Sequence, residues 1–281
     1  LWVAETIGSP KRISVWHADR GAYVEQYFGA SAYFAYGHVD PARPDEILAH
    51  NVLWKIDWDT DTTRPVSTIW RKRGPNMVPP PGYHAYQSMP RMVTADNGAQ
   101  YLYGNRRQGS ILLRRDGDIF KPIAAVFENN GQSGIDLLDR NAETDRRARR
   151  ERPASLWQDG NDDQTVQQEE LTPLPAEYAR ARFVWLHKDL TLRLSSGQVW
   201  TPVMMSGDDR PVYDPAEAEP AVASASPGYV APLPDGSVLT LRHHRTRRGP
   251  GRGPSLIRWT PDGQNAPNMK TVYTSLPGNP F

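Results

Sequence analysis

The stretch I-L-L-R-R-D-G-D-I-F-K-P-I-A-A-V-F, residues 111–127, reads as two β-rich runs joined by a turn at Asp116-Gly117. Glycine reaches positive φ without steric cost, so Asp-Gly between such runs is a strong short-range hairpin signal. The same design recurs along the chain. Residues 13–16 lead through Asp19-Arg20-Gly21 into 23–28, and 53–57 lead through 59–63 into 66–70. Residues 190–194 turn at Ser196-Gly197 into 199–204, and 256–259 turn at Pro261-Asp262-Gly263 into 270–273. Helical periodicity is nearly absent between these five hairpins, so the expected fold is all-β.

A further β-rich run precedes most of the hairpins, at 2–5, 46–50, 100–103, 183–187 and 238–242. Two of these follow strong turn signals, Asn97-Gly98 and Asp235-Gly236. One or two strands followed by a hairpin make the four-stranded sheet of a β-propeller blade. The shortest spacing between hairpins, from Ile13 to Leu53, is close to the ~40–50 residues of propeller repeats. The expectation is therefore a single β-propeller domain over 1–281, or a fragment of one, with about five recognisable blades. The longest gap between hairpins leaves residues 128–182 as an insertion. Trp16, Trp54, Leu113, Leu192 and Ile257 should pack between blades, and Asp19, Asp116 and Asp262 should mark exposed tips.

Composition narrows the function classes. With 33 basic and 32 acidic residues the net charge is +1, so no bulk field draws nucleic acid or an anionic membrane. The basic run 243–254 lacks interleaved aromatics for base stacking and reads as an exposed loop, so no nucleic-acid partner is expected. The Pro-rich run 73–82 reads as a surface crossing and the charged run 141–152 as a solvated loop or short exposed helix. The absence of cysteine removes disulfides, thiolate catalysis and zinc–thiolate sites. No apolar run approaches the ~20 residues of a membrane span. The opening Leu1-Trp2-Val3-Ala4 already reads as a strand, as if the chain were part of a longer one.

The insertion carries the clearest ligand pattern. In L-W-Q-D-G-N-D-D-Q-T-V-Q-Q-E-E, residues 156–170, the positions of a twelve-residue calcium loop fall on oxygen donors. Asp159 stands at position one, Asn161 at three, Asp163 at five and Glu170 at twelve, with the Thr165 carbonyl at seven and Gln167 at nine. A hard cation needs six to eight oxygens, and alternate residues of a tight loop supply them. Val166, at position eight, should lean on the protein body. Gln164 departs from the pattern, because position six wants glycine for its sharp turn. The alternative is a solvated acidic loop holding no ion.

The units I-S-V-W-H-A-D-R-G, I-L-L-R-R-D-G-D and L-I-R-W-T-P-D-G, with L-W-V-A-E and G-Q-V-W, resemble those of bacterial NHL/YVTN-type β-propeller repeat proteins. The insertion looks like an EF-hand or dockerin-like calcium loop of exported members of that group. This resemblance implies an extracellular or periplasmic scaffold that binds a protein or carbohydrate partner at a propeller face. It also implies a structural Ca²⁺ held by Asp159, Asn161, Asp163, Thr165 and Glu170. The seven histidines form no metal-binding spacing, and no G-x-S-x-G or nucleotide-binding loop in strand-to-helix context is present, so no catalytic residue is nominated. The alternative is a propeller enzyme, either a quinoprotein-like oxidoreductase suggested by V-L-W-K-I-D-W-D-T-D-T-T-R-P at 52–65, or a carbohydrate-active lyase or hydrolase.

Overall fold

The computed structural model describes residues 1–5, 12–28, 37–49, 52–69, 90–106, 109–127, 153–178, 181–220, 230–232, 238–242 and 255–259. Among them the chain is all-β, with helical character only in three single-turn 3₁₀ segments. Its strands fall into antiparallel groups taken in chain order. The first is β1 (Trp2–Glu5), β2 (Arg12–Trp16) and β3 (Tyr23–Phe28). The second is β4 (Gly37–Val39), β5 (Glu46–Ala49), β6 (Val52–Asp57) and β7 (Thr62–Ile69). The third is β8 (Arg91–Thr94), β9 (Gln100–Arg106), β10 (Gly109–Asp116) and β11 (Ile119–Phe127), extended by β12 (Ser155–Gln158) and β13 (Leu171–Pro173).

The fourth group is β14 (Phe183–Leu186), β15 (Leu192–Leu194), β16 (Gln198–Trp200) and β19 (Glu219–Pro220), with a small hairpin, β17 (Met204–Met205) and β18 (Pro211–Val212), looping out of it. The fifth is β20 (Val230–Pro232), β21 (Val238–Arg242) and β22 (Ser255–Trp259). The first four expected hairpins are the pairs β2–β3, β6–β7, β10–β11 and β15–β16, and each run expected before them pairs with its hairpin. The second arm of the fifth hairpin lies outside the described residues, as do the runs 73–82, 141–152 and 243–254.

A short parallel contact, Ile119 against Thr68 and Phe120 against Ile69, joins the second and third groups. Their strands then run in the order β4-β5-β6-β7-β11-β10-β9-β8, a nearly closed, barrel-like sheet. Alternation along each strand assigns side chains to three cores. Leu48 on β5 and Ile111 and Leu113 on β10 pack between the second and third groups with Leu53, Met92, Leu102 and Phe120. Leu112 points the other way, meeting Phe183, Leu186, Leu192 and Trp200 of the fourth group. Ile47 and Ala49 likewise face Ile13 and Tyr27 of the first. Because the third group is covered on both faces, its central hairpin is apolar nearly throughout instead of alternating cleanly.

Two glycines make this packing possible. Gly117 takes φ +56° in the two-residue turn between β10 and β11. At Gly109, φ +143°, a β-carbon would lie 1.8 Å from the Val126 carbonyl oxygen of the paired strand. Leu113 and Leu192 are buried as expected, and Asp19 and Asp116 are exposed. Trp16 and Trp54 are only half-buried. Trp16 stacks edge-on against the exposed Tyr23, whereas Trp54 lies tilted against Tyr27 and packs, half-buried, on the core formed by Ile13, Ile47 and Ile56. The side chains of Ile257 and Asp262 lie outside what is described.

Polar contacts close the far edge of the barrel-like sheet. His38 on β4 accepts a hydrogen bond from the Met92 N–H of β8 through Nδ1, at 3.1 Å, and Thr94 Oγ1 donates to Asp40 at 2.7 Å. Burial, then the nearby Arg91 charge, push His38 down to about 4 from its ordinary 6.5, while Asp40 pulls weakly upward. The folded chain thus holds His38 neutral where the unfolded chain protonates it. Its stabilisation is complete above about pH 6.5 and drains away as pH falls towards 4, a loss of roughly 2–3 kcal/mol. Denaturant unfolding across that range should show the natural chain losing this much more stability than His38→Asn, whose amide oxygen keeps the acceptor without titrating. Equal losses in the two proteins would place His38 in solvent.

Candidate metal centre

The segment Asp159–Glu170 links β12 to β13 and begins on a firmly anchored strand. Trp157, fully buried, sits in the core between the second and third groups, and Val166 joins it at 0% exposure, as position eight requires. The Asp159 N–H donates to the Ile123 carbonyl of β11, which fixes where the loop departs.

Inside the loop, side-chain oxygens at positions one, three and five each accept a hydrogen bond from a backbone N–H further along. Asp159 Oδ2 accepts from Gln164 N–H at 3.0 Å, Asn161 Oδ1 from Asp163 N–H at 3.1 Å, and Asp163 Oδ1 from Thr165 N–H at 2.7 Å. These bonds hold the chain in a tight coil. Gln164 takes φ +57° at the position where glycine was expected, and its amide group bonds back to Asp162, which props up the strained conformation.

The twelfth residue folds back over the first. Glu170 Oε1 accepts from the Gly160 N–H at 2.8 Å, while Oε2 accepts from the Trp157 indole at 2.7 Å and from the Gln167 N–H. Asp163 Oδ2 accepts from the Gln167 side chain at 2.7 Å. Asp159, Asn161, Asp163 and Glu170 are therefore gathered into one coil, with Thr165 on its rim. Among the described residues no three of His, Cys, Asp and Glu converge into a metal-binding group, and the Glu170 carboxylate is engaged by Trp157 and Gly160.

One atom lacks an answer. Asp159 is 5% exposed, and its Oδ1 has no hydrogen-bond partner. Burial pushes its carboxyl above the ordinary value, opposed by the Gln164 N–H, and the Glu170 charge adds to the rise. An orphaned, buried carboxylate oxygen is costly unless a cation or a proton meets it. The oxygen-rich donor set suits a hard cation such as Ca²⁺.

Sequence reasoning missed the brackets that hold this loop. Lys121 Nζ of β11 spans Asp116 at 2.6 Å and Asp162 at 3.6 Å. Arg210, from the β17–β18 hairpin, donates to the Asp159 carbonyl at 2.9 Å. Gln158 exchanges two hydrogen bonds with the Tyr213 backbone. The loop is thereby bolted to two sheet groups. No spacing rule reports contacts made across 50 or more residues, as these last two are.

No family model matches the chain, and no curated protein matches it. Among solved structures it is similar to a protein of unknown function from Bacteroides caccae, at 10% identity over 94% of this chain and 91% of that one, with a TM-score of 0.37. A likeness at that level assigns neither fold nor activity.

Proposed function

We propose that the chain is a β-propeller, or a segment of one, of the NHL/YVTN type, acting outside the cytoplasm as a non-catalytic scaffold with a structural Ca²⁺ in the 159–170 loop. The five antiparallel groups would be its blades, and the face-to-face burial of Leu48, Leu112 and Ile47 in three successive cores supports that reading. A protein or carbohydrate partner would engage the loops at one propeller face. The calcium reading is carried by the partnerless Oδ1 of Asp159 inside a coil of oxygen donors. Asp159, Asn161 and Asp163 would supply side-chain oxygens, Thr165 its carbonyl, and Glu170 a carboxylate once released from Trp157. The ion would neutralise the buried charge and clamp the loop between β11 and the β17–β18 hairpin.

Gln164 at the glycine position should hold affinity near the ~10⁻⁴–10⁻³ M of extracellular modules. At tenfold excess calcium the fold would gain about 1–2 kcal/mol. Thermal melts with calcium and with chelator should therefore differ for the natural chain and coincide for Asp159→Ala combined with Glu170→Gln. Gln164→Gly should enlarge the difference. Identical melts of the natural chain, with no calcium binding in millimolar calorimetry, would reduce the loop to an acidic turn.

A further inference from the structure

The fourth sheet group presents a cationic and aromatic cluster on the face away from its core. A register shift between Phe183 and Trp185 sends Phe183 and Leu186 into the core and sets Trp185 opposite Arg193 on the other face. His187, two residues on, shares that face, its ring 6.4 Å from that of Trp185. Arg91, reaching from β8, places its guanidinium carbon 5.5 Å from the Trp185 ring centroid. Side chains of β8, β14 and β15 thus gather with His187, which follows β14, and β14 itself approaches β20, the first strand of the fifth group.

Their hydrogen bonding is one-sided. Arg193 Nε lies 3.1 Å from His187 Nε2, so that ring nitrogen is the acceptor and the neutral imidazole carries its proton on Nδ1. Burial and the Arg193 charge hold His187 below its ordinary value, against a weaker pull from Asp189, which itself accepts the Thr191 N–H. Among the described residues no carboxylate pairs with Arg193, although it is half-buried. A partly desolvated guanidinium fork beside an N–H donor and an indole is complementary to a planar oxyanion attached to an apolar ring face.

We propose that this face binds the carboxylate of an acidic sugar. The terminal nitrogens of Arg193 would take the carboxylate bidentately, His187 Nδ1–H would add a third donor, and Trp185 would lie along the C–H face of the sugar. The assignment rests on the binding-scaffold reading above and gives its ligand a chemistry.

The test is calorimetry with glucuronate, glucose and inorganic phosphate, together with the imidazole NMR signals of His187. Glucuronate should bind about tenfold or more tightly than glucose, shift the His187 signals and remain chemically unchanged. Arg193→Gln should lose that preference by about tenfold or more, and Arg193→Lys should lose most of it, since an ammonium cannot form the bidentate pair. Unchanged far-ultraviolet circular dichroism in both variants separates lost binding from lost fold. Glucuronate binding no tighter than glucose, tighter phosphate binding, or retention in Arg193→Gln would each overturn the site. Should glucose or another neutral sugar shift residues elsewhere, the scaffold reading survives and the carboxylate site fails. Conversion of glucuronate to product at this site would sustain the site and remove the non-catalytic reading.

Discussion

Trp157→Ala is expected to lower stability by about 3–5 kcal/mol, the range for truncating a fully buried aromatic side chain. Trp157 is 0% exposed and shares its core with Leu48, Leu102, Leu113 and Phe127. It also holds the loop, because its indole N–H is one of the donors that pin Glu170. Trp157→Phe separates the two roles. Phenylalanine keeps most of the packing but leaves the Glu170 oxygen with a weaker set of donors, for a cost of about 1–2 kcal/mol. Denaturant unfolding of both variants measures these losses. A cost below about 1 kcal/mol for Trp157→Ala would mean that β12 is not seated in the core.

The second large effect concerns Glu46, buried at 5% exposure between the second and third groups. Its carboxylate accepts from Arg115 Nη1 at 3.0 and 3.2 Å and from Gln100 Nε2 at 3.2 Å, and Gln100 Oε1 accepts from the same Arg115 nitrogen at 2.9 Å. The three residues sit on β5, β9 and β10, so the network fixes how the two groups stack. Glu46→Ala leaves a partly buried guanidinium and an amide without their acceptor. The expected loss is about 3–4 kcal/mol, at the lower end for a broken buried pair because the Arg115 side chain keeps 20% exposure. Arg115→Ala should cost at least as much, since it leaves the more deeply buried Glu46 carboxylate with only Gln100 and a cation 4.0 Å away at Arg43. The double variant should cost clearly less than the two singles added together. Strict additivity would show that the pair does not interact.

How much could be read in advance depends on how local the cause is. The hairpins were legible because Asp116-Gly117 and Ser196-Gly197 turn within a few residues, and the structure pairs the flanking strands as expected. The loop was legible for the same reason: positions one to six bond to one another, and Gln164 adopts the positive φ that its position demands. The stacking contacts were not legible. His38 meets Met92, and Glu46 meets Gln100, each 54 residues away, only after strands distant in the chain have come together in the barrel-like sheet. The capture of Glu170 by Trp157 was equally hidden, since a motif reads a residue by its position and not by the core its neighbour occupies. The half-exposure of Trp16 and Trp54 follows from the same gap: a tryptophan in a strand names an apolar face without naming what covers it.

Crystallising the chain in calcium, and locating the ion by its anomalous scattering, tests the proposal of a calcium-braced propeller most directly. The expected result is a single peak about 2.3–2.6 Å from Asp159 Oδ1 and from oxygens of Asn161, Asp163 and Thr165, with the strand groups arranged face to face around one axis. Only water beside Asp159, or strand groups that share no common axis, would contradict it.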